Sequence, residues 1–441
     1  MNKLKKYIVI IFVIIILMLV FLILLLKLND KKGNQENLIG DIGESIEITN
    51  QEEDITDFST FKNVQDCVQK YYNIMNEEYF GFYNKNEDGK YERIDETSIK
   101  KIRLNLLSTE YVKNNNINEE NLYQYLEIYK EQYNVVILNM KRVINDTVYQ
   151  YKAYGVCTDY NGEIIDDFYI IINVDIIDNT FSIEPILDKP NSIDEIKLNN
   201  ENNMIQANEY NEYNDEVYTY EDEAQWYFIL YKRLAFAKPE ILYNYMSDEY
   251  KNKRFENEEN FLKYILVNRD EIQNLRMTKY MVNNKTDFTE FVCKDQYDNV
   301  YIFDETLPMQ FSFKLDNYTI LTDNFEENYE SASDEKKIQM NVDRFIQMIN
   351  RQDYMTSYKY LSDGFKNNYF KTQEEFENYI KNEFFKYNKF EFEKIENKGN
   401  NVYVCLIKLT DMTGDSSDEK EQNIIMQIND NYDFKMSFEI K

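Results

Sequence analysis

Tyr358-Lys359-Tyr360-Leu361-Ser362-Asp363-Gly364-Phe365 is one of three versions of the same short block in this chain. A second version occupies residues 243–250, and a looser third occupies residues 104–111. Counted from the serine, each version continues with a polar residue at +10, a large apolar residue at +14, a tyrosine at +17 and Leu or Ile at +18. Agreement over this length indicates a domain that is repeated three times.

The residues on either side of the block predict helices first and strands afterwards. Upstream, apolar residues recur at i, i+4 and i+7, as in Tyr227, Tyr231 and Leu234, which is typical of the buried face of a helix. Downstream, each repeat ends in β-type runs, and Asn161-Gly162 between two of them predicts a tight hairpin turn. The predicted repeats cover residues 60–190, 222–323 and 333–441, with an acidic linker at 191–221 and a second linker at 324–332.

The residues before the first repeat predict a membrane anchor. Residues 1–6 are basic, and residues 7–26 contain no charge, Gly or Pro, so a transmembrane helix is predicted at 7–27. No small-residue cleavage site follows, which favours an uncleaved anchor over a signal peptide. Residues 28–59 are polar and acidic, typical of a flexible stalk. We expect a single-pass protein of the cell membrane, with a cytoplasmic N-terminus and extracytoplasmic C-terminal domains.

Composition narrows the classes of function. The chain of 441 residues is 43% hydrophobic, enough to build several domain cores. Its formal charge of −30 would repel phosphate backbones, so we expect no nucleic acid partner. There is no histidine, which excludes His-based triads, His general bases and His metal ligands.

The serine of each block invites interpretation as a nucleophile. A serine hydroxyl needs an adjacent base, usually His, and the chain has none. A serine followed by acidic residues also suits a helix N-terminus, because its oxygen accepts an orphan N–H and the acids oppose the helix dipole. We therefore predict structural caps at the block serines and at the +10 positions. These residues are Ser108, Ser247, Ser362, Asn118, Asn257 and Thr372.

The four cysteines have no metal-ligand spacing. Cys157, Cys293 and Cys405 each follow a valine in a predicted strand, which indicates one core position repeated in each domain. Cysteines in separate domains are badly placed to pair with one another. The one intradomain bridge left open is between Cys67 and Cys157.

Residues 84–95 partly imitate a calcium loop, with oxygen-bearing side chains at alternate positions and Gly89 at the sixth. However, the first position is Asn84, the twelfth is Asp95 instead of Glu, and the flanking residues alternate like strands. We favour an Asp-Gly hairpin within an insertion at 79–94, and we predict no metal and no cofactor.

The chain contains 39 tyrosines, most of them expected on half-buried helix and strand faces. Some lie in the acidic linker, where exposed tyrosine would suit protein recognition because it offers a large contact area at low entropic cost. Biased composition explains them equally well, and we favour that interpretation. The linker tyrosines are Tyr210, Tyr213, Tyr218 and Tyr220.

The order of elements, with a Tyr-x-Tyr-Leu-Ser-Asp-x-Phe block leading into a Phe-x-x-Tyr-Ile helix, resembles the cone-shaped nuclear transport factor 2-like superfamily. The resemblance is strongest in the last two repeats; the first departs from it through its insertion and the loss of both block tyrosines. That superfamily includes enzymes, binding modules and scaffolds, so the resemblance implies a fold and no particular activity. Its enzymes use Asp and Tyr in the cavity of the cone, but no residue of this chain can be assigned that role from sequence.

The predicted fold class is α+β, with an N-terminal transmembrane helix followed by three tandem domains, each with helices packed on a curved antiparallel sheet. The predicted function is a membrane-anchored extracytoplasmic scaffold or protein-interaction protein without catalytic activity, whose partner is another protein. One alternative is a membrane-tethered component of a conjugation or type IV secretion channel. Another is a small-ligand binder or enzyme, which requires a deep pocket with paired Asp and Tyr groups of perturbed pKa in one repeat.

Overall fold

A group of helices followed by an antiparallel sheet occurs three times along the chain. The structure is a computed structural model that describes residues 52–144, 148–198, 211–321, 323–429 and 432–441. The α+β class and the repeated order of helices and sheet, both predicted from the sequence, are confirmed.

The first repeat contains the most elements, because it includes an extra edge strand and a small hairpin. In chain order its elements are β1 (Glu52–Asp54), α1 (Phe58–Met75), β2 (Tyr83–Lys85), β3 (Tyr91–Arg93), α2 (Glu96–Leu106), α3 (Thr109–Asn114), β4 (Asn134–Ile144), β5 (Val148–Thr158), β6 (Ile164–Asp175) and β7 (Thr180–Pro185). Strands β4 to β7 form an antiparallel meander, and β1 pairs with the outer edge of β4. Residues 52–59, predicted as the end of the stalk, are therefore part of the folded repeat.

The second and third repeats have the same plan without the insertion. The second contains α4 (Tyr220–Ala237), α5 (Pro239–Asn244), α6 (Asp248–Arg254), α7 (Glu258–Asn274), β8 (Met277–Asn284), β9 (Thr289–Asp295), β10 (Val300–Leu307) and β11 (Gln310–Lys314). The third contains α8 (Asp323–Ser331), α9 (Asp334–Asn350), α10 (Tyr354–Tyr360), α11 (Asp363–Tyr369), α12 (Gln373–Glu383), β12 (Asn388–Gly399), β13 (Val402–Asp411), β14 (Glu419–Ile428) and β15 (Phe434–Phe438). The predicted linker at 324–332 is helical, as part of α8.

Equivalent positions in the three meanders hold equivalent residues. Cys157, Cys293 and Cys405 lie on β5, β9 and β13, the second strand of each meander, and all three are buried. The predicted repeated core position is confirmed. Cys67 and Cys157 are both free thiols, so the bridge left open by the sequence is not formed.

The block serines stand at helix N-termini, as predicted. The Ser108 hydroxyl accepts a hydrogen bond from the Tyr111 N–H at 3.1 Å, and that of Ser247 accepts one from Tyr250 at 3.3 Å. Ser362 occupies the cap position of α11 without a side-chain hydrogen bond. These serines begin helices because their oxygen atoms replace a missing backbone acceptor.

The prediction of a helix cap ten residues after the block serine is confirmed in the second and third repeats and wrong in the first. Asn257 caps α7, and Thr372 forms a capping box with Glu375 at the start of α12. In the first repeat no α-helix follows Asn118; the chain makes only a short 3₁₀ turn at Leu122–Gln124. The backbone N–H and C=O of Tyr129 make hydrogen bonds to the end of α1. If this segment were an α-helix, the two Tyr129 groups would be used within the helix and could not make these bonds.

One part of the predicted fold class, the transmembrane helix, is contradicted. No helix among the described residues is long and apolar enough to span a bilayer. The predicted tail at 1–6, the predicted span at 7–27 and the stalk up to residue 51 lie outside the described residues.

The hydrophobic clusters do not correspond one to one with the three repeats. One buried hydrophobic cluster runs continuously from Ile55 in the first repeat to Leu315 in the second, whereas the third repeat has a cluster of its own. The rings of Phe61 on α1 and Trp226 on α4, with centroids 6.0 Å apart, lie within the shared cluster. Repeats that bury apolar surface against each other fold as neighbours in one unit.

The second and third repeats meet through buried polar groups. The Arg254 guanidinium on α6 lies 3.1 Å from Asp353, which caps α10, and 3.5 Å from Asp316 after β11. All three side chains are buried. Arg351 donates to the Val300 carbonyl oxygen, and its guanidinium carbon lies 4.2 Å from the centre of the Tyr301 ring. The two repeats are therefore joined by buried ion pairs of Arg254 and by a hydrogen bond from Arg351.

Candidate binding cleft

Aromatic side chains occupy the space between helices and sheet, where the resemblance implies a cavity. In the second repeat Tyr227 packs on Phe303 and Phe311, with ring centroids 5.4 and 4.8 Å away. In the third repeat Phe438 is surrounded by five phenylalanines and one tyrosine. These cores are built like ordinary close-packed interiors.

An open cleft of about 760 Å³ lies instead between the beginning of the first repeat and one end of the second sheet. Asp57 and Phe58 form one side, at the N-terminus of α1. The β8–β9 and β10–β11 connections form the other side, and the N-terminal turn of α4 provides the floor. Tyr218 and Tyr220, two of the linker tyrosines, line its wall.

The segment that leads into α4 is held on the first repeat, which fixes the shape of the cleft. The Asn63 side chain donates to the Glu216 carbonyl oxygen at 2.8 Å and accepts from its N–H at 3.2 Å. The Tyr218 hydroxyl donates to Asp66 at 3.0 Å, and its N–H donates to Ser59 at 2.9 Å. The part of the predicted linker nearest to α4 is thus a fixed wall.

Two glutamates meet at the floor of this cleft. A capping box between Thr219 and Asp222 begins α4 and places Glu223 in its first turn. Glu305 lies near the end of β10, where the register with β11 shifts between Glu305 and Leu307. The two carboxyl groups lie within hydrogen-bonding reach of each other. A helix start and an irregular strand end therefore bring together two acids that are distant in sequence.

Tyr227 lies on α4 one helical turn beyond Glu223 and contacts the second acid of the pair. Its hydroxyl donates to Glu305 and accepts from the Met309 N–H at 3.3 Å. Met309 has a φ of 67°, the left-handed conformation of a tight turn between β10 and β11. Burial raises the pKa of Tyr227 well above its usual value, so the hydroxyl stays a neutral donor.

Burial and mutual repulsion change the protonation of the two acids. Glu223 is only 7% exposed and Glu305 only 9%. Loss of hydration, with the nearby charge of Glu305 as the second cause, raises the pKa of Glu223 to about 9. Burial also raises the pKa of Glu305. Neighbouring buried carboxyl groups oppose each other's ionisation, so the pair retains a shared proton near neutral pH.

The block serines and the calcium-loop-like segment lie away from this cleft. The Ser108 hydroxyl donates to Glu184 at 2.7 Å in a buried polar contact, with no histidine to act as base. Residues 84–95 form the predicted Asp-Gly hairpin of β2 and β3, with a φ of 79° at Gly89. Among the described residues no group of three or more acidic or cysteine side chains could hold a metal ion.

Sequence reasoning missed both glutamates of the cleft. Glu223 and Glu305 are two of 80 acidic residues and stand in no recognisable motif. Tyr227 was identified only as one of the apolar positions of α4. The available signal was weak: a glutamate that follows a capping box and precedes an apolar helix face.

No protein-family model matches this chain, and no curated protein and no solved structure matches it. The resemblance to the nuclear transport factor 2-like superfamily therefore stays a prediction. What the chain does has to be argued from the geometry of its own residues.

Proposed function

We propose that this protein is a non-catalytic interaction protein in which three joined repeats act as a scaffold and the cleft between the first and second repeats receives a partner protein. The single observation that carries the proposal is the cleft itself. It combines an opening of about 760 Å³ with buried acids and aromatic walls, whereas aromatic side chains pack the space between helices and sheet in the second and third repeats. Concave sites with a few convergent polar groups are the usual binding sites of proteins.

The connections between repeats support a scaffold. The first and second repeats share one hydrophobic cluster, and Arg254 and Arg351 connect the second to the third. Buried contacts of this kind hold neighbouring units in one arrangement, so a partner meets a preformed surface. A preformed surface needs little ordering on binding.

The predicted location at the cell membrane is not required by this proposal. It depends on residues 7–27, which lie outside the described residues. The alternative of a conjugation or type IV secretion component likewise stays a prediction, and dependence of DNA transfer on the gene would test it.

A small-ligand binder or enzyme is the second candidate, and one observation favours it. That alternative required a pocket with paired acidic and tyrosine groups of perturbed pKa, and Glu223, Glu305 and Tyr227 have this character. The acids are glutamates instead of aspartates, and the cleft lies between repeats instead of inside one.

Site-specific photocrosslinking in the source cells tests the proposal. We would place the crosslinking side chain at Tyr220, which lines the cleft and is 51% exposed, and at Ile425 on β14, which is 46% exposed, as the matched control. We expect one protein to be crosslinked at position 220 and not at 425, and to bind the purified full chain directly. Absence of any crosslinked protein at position 220 would contradict the proposal. A small molecule that copurifies with the chain in stoichiometric amount would favour the second candidate.

A further inference from the structure

We infer that the cleft binds a guanidinium group, the side chain of an arginine on the partner, against the paired carboxyl groups of Glu223 and Glu305. The inference rests on the proposed function and specifies the chemistry that the cleft recognises. It follows from three features of the site: incomplete pairing of buried acids, flat aromatic walls and the charge of the chain.

Among the described residues, no cation lies against the two acids. Both line the cleft and are more than nine-tenths buried. Glu305 accepts a hydrogen bond from the Tyr227 hydroxyl. In the part of the chain that the structure describes, the Glu223 carboxyl has only Glu305 as a partner. Two other buried acids show the contrast: Asp353 faces Arg254, and Asp295 accepts from Asn299 and Tyr301. A buried carboxylate without such a partner is costly, and a ligand that supplies the donors removes that cost.

The walls favour guanidinium over ammonium. Phe58, Tyr220 and Phe288 line the cleft around the pair. A planar guanidinium stacks on aromatic rings, is weakly hydrated, and donates two parallel N–H groups to carboxylates, whereas an ammonium is a strongly hydrated point charge. This chain uses the same contact internally, since the Arg269 guanidinium carbon lies 3.8 Å from the centre of the Phe236 ring.

The surrounding charges allow a cation to enter. The formal charge of −30 attracts cationic groups at long range. The charged residues on the elements that surround the pair include Asp57 before α1, Lys62 on α1, Glu221 and Asp222 on α4, Lys285 and Asp287 between β8 and β9, Glu290 on β9, Asp304 on β10 and Lys314 on β11. Lys314 lies 2.7 Å from Asp304, Lys62 lies 2.6 Å from Asp66, and Lys285 lines the cleft. The remaining groups make the entrance acidic.

Binding should release the shared proton. A guanidinium stays charged at every accessible pH and prefers both carboxyl groups ionised. Below the pKa of Glu223 at about 9, each bound guanidinium must therefore expel about one proton, and affinity should rise about tenfold for each pH unit. Above that pH the affinity should level off. This linkage distinguishes the site from a merely acidic surface.

Isothermal titration calorimetry of the full chain with N-acetyl-arginine amide tests the inference. Titrations at pH 7 in two buffers of different ionisation enthalpy count the released protons, and a repeat at pH 8 gives the change in affinity. We expect saturable binding, release of roughly one proton, and about tenfold tighter binding at pH 8. N-acetyl-citrulline amide, the neutral isostere, should not bind, and N-acetyl-lysine amide should bind more weakly.

Two variants of the same helical turn provide the matched comparison. Glu223→Gln removes the shared proton and should abolish proton release and weaken binding about tenfold or more. Glu221→Gln removes one exposed charge of the entrance and should leave proton release unchanged, with only a small loss of affinity. An infrared band of a protonated carboxyl group at pH 7, present in the free wild type and lost in Glu223→Gln, reports the pair independently of binding.

The inference is overturned if arginine amide shows no saturable binding up to its solubility limit, if citrulline amide binds equally well, or if Glu223→Gln binds with unchanged proton release. These failures differ from failure of the proposed function. A protein crosslinked at position 220 together with absence of arginine binding would retain the interaction role and refute its guanidinium chemistry.

Discussion

Replacement of Arg254 by Met should separate the third repeat from the other two. The Arg254 side chain is 5% exposed, and among the described residues its guanidinium is the one cation that pairs with both Asp316 and Asp353. Met keeps most of the packing volume and removes the charge. The variant therefore leaves two buried carboxylates at the junction of the second and third repeats without their cation.

The expected loss of stability is large. Breaking a buried ion pair by removal of one partner costs about 3–5 kcal/mol, and a whole domain is stable by only about 5–15 kcal/mol. Burial raises the pKa of Asp353, and the positive charge of Arg254 opposes that rise. Without the arginine the folded-state pKa rises further, so folding takes up a proton. The loss should therefore be smallest near the unfolded pKa of about 3.9 and grow as the pH rises.

Urea denaturation of the full chain at pH 7 measures this effect with two probes. Trp226 is the one tryptophan of the chain and lies in the core shared by the first and second repeats, so its fluorescence follows those repeats, whereas circular dichroism follows all three. We expect the two transitions to diverge in Arg254→Met, with part of the dichroism lost at lower urea. Lys253→Met, which removes a surface charge from the same helix, should leave both transitions unchanged.

Addition of Asp353→Asn to Arg254→Met should recover part of the loss, because one of the two unpaired buried charges is removed. The reasoning is refuted if Arg254→Met lies within roughly 0.5 kcal/mol of the wild type, the usual range for surface substitutions. It is also refuted if the Lys253→Met variant loses as much stability.

Three further measurements test other parts of the structure. Ser247→Ala should cost about 0.5–2 kcal/mol in thermal denaturation because a cap is lost, whereas Ser362→Ala, which removes no side-chain hydrogen bond, should cost much less. The folded-state pKa of Glu223 is raised to about 9. The stability that protonated Glu223 contributes is therefore complete below the unfolded pKa of about 4.3, and the free energy of unfolding should fall as the pH rises above it. The Glu223→Gln variant should not show this fall. Burial raises the pKa of all four cysteine thiols, so iodoacetamide at pH 8 should label none in the native chain and all in guanidinium chloride, by mass spectrometry.

The repeated elements could be predicted because their signals are local. A serine followed by acids, a capping box at Thr372 and a stripe of apolar residues each act within one or two helical turns, and the structure places helices there. The cysteine that follows a valine is buried on the second strand of each meander. In such cases the residues from which the helix or cap is predicted are the same residues that form it.

The errors arose where distant parts of the chain compete with local preference. The segment after Asn118 has the pattern of a capped helix, but it hydrogen-bonds to the end of α1 instead. The segment before α4 is acidic and lacks an apolar period, yet two hydrogen bonds between Asn63 and the Glu216 backbone fix it on the first repeat. Both contacts join residues that are far apart in the sequence, so a pattern within a short stretch cannot predict them.

The cleft shows why function was harder to predict than fold. Glu223 looks like a favourable acid in the first turn of a helix, where the dipole would stabilise its negative charge. Its position opposite Glu305 reverses that expectation, since burial and the second acid raise its pKa. A residue whose local role and tertiary environment disagree is a candidate for function, because binding can relieve the conflict. The conflict becomes visible only when α4 and β10 are brought together, and it is the strongest argument that this cleft is a binding site.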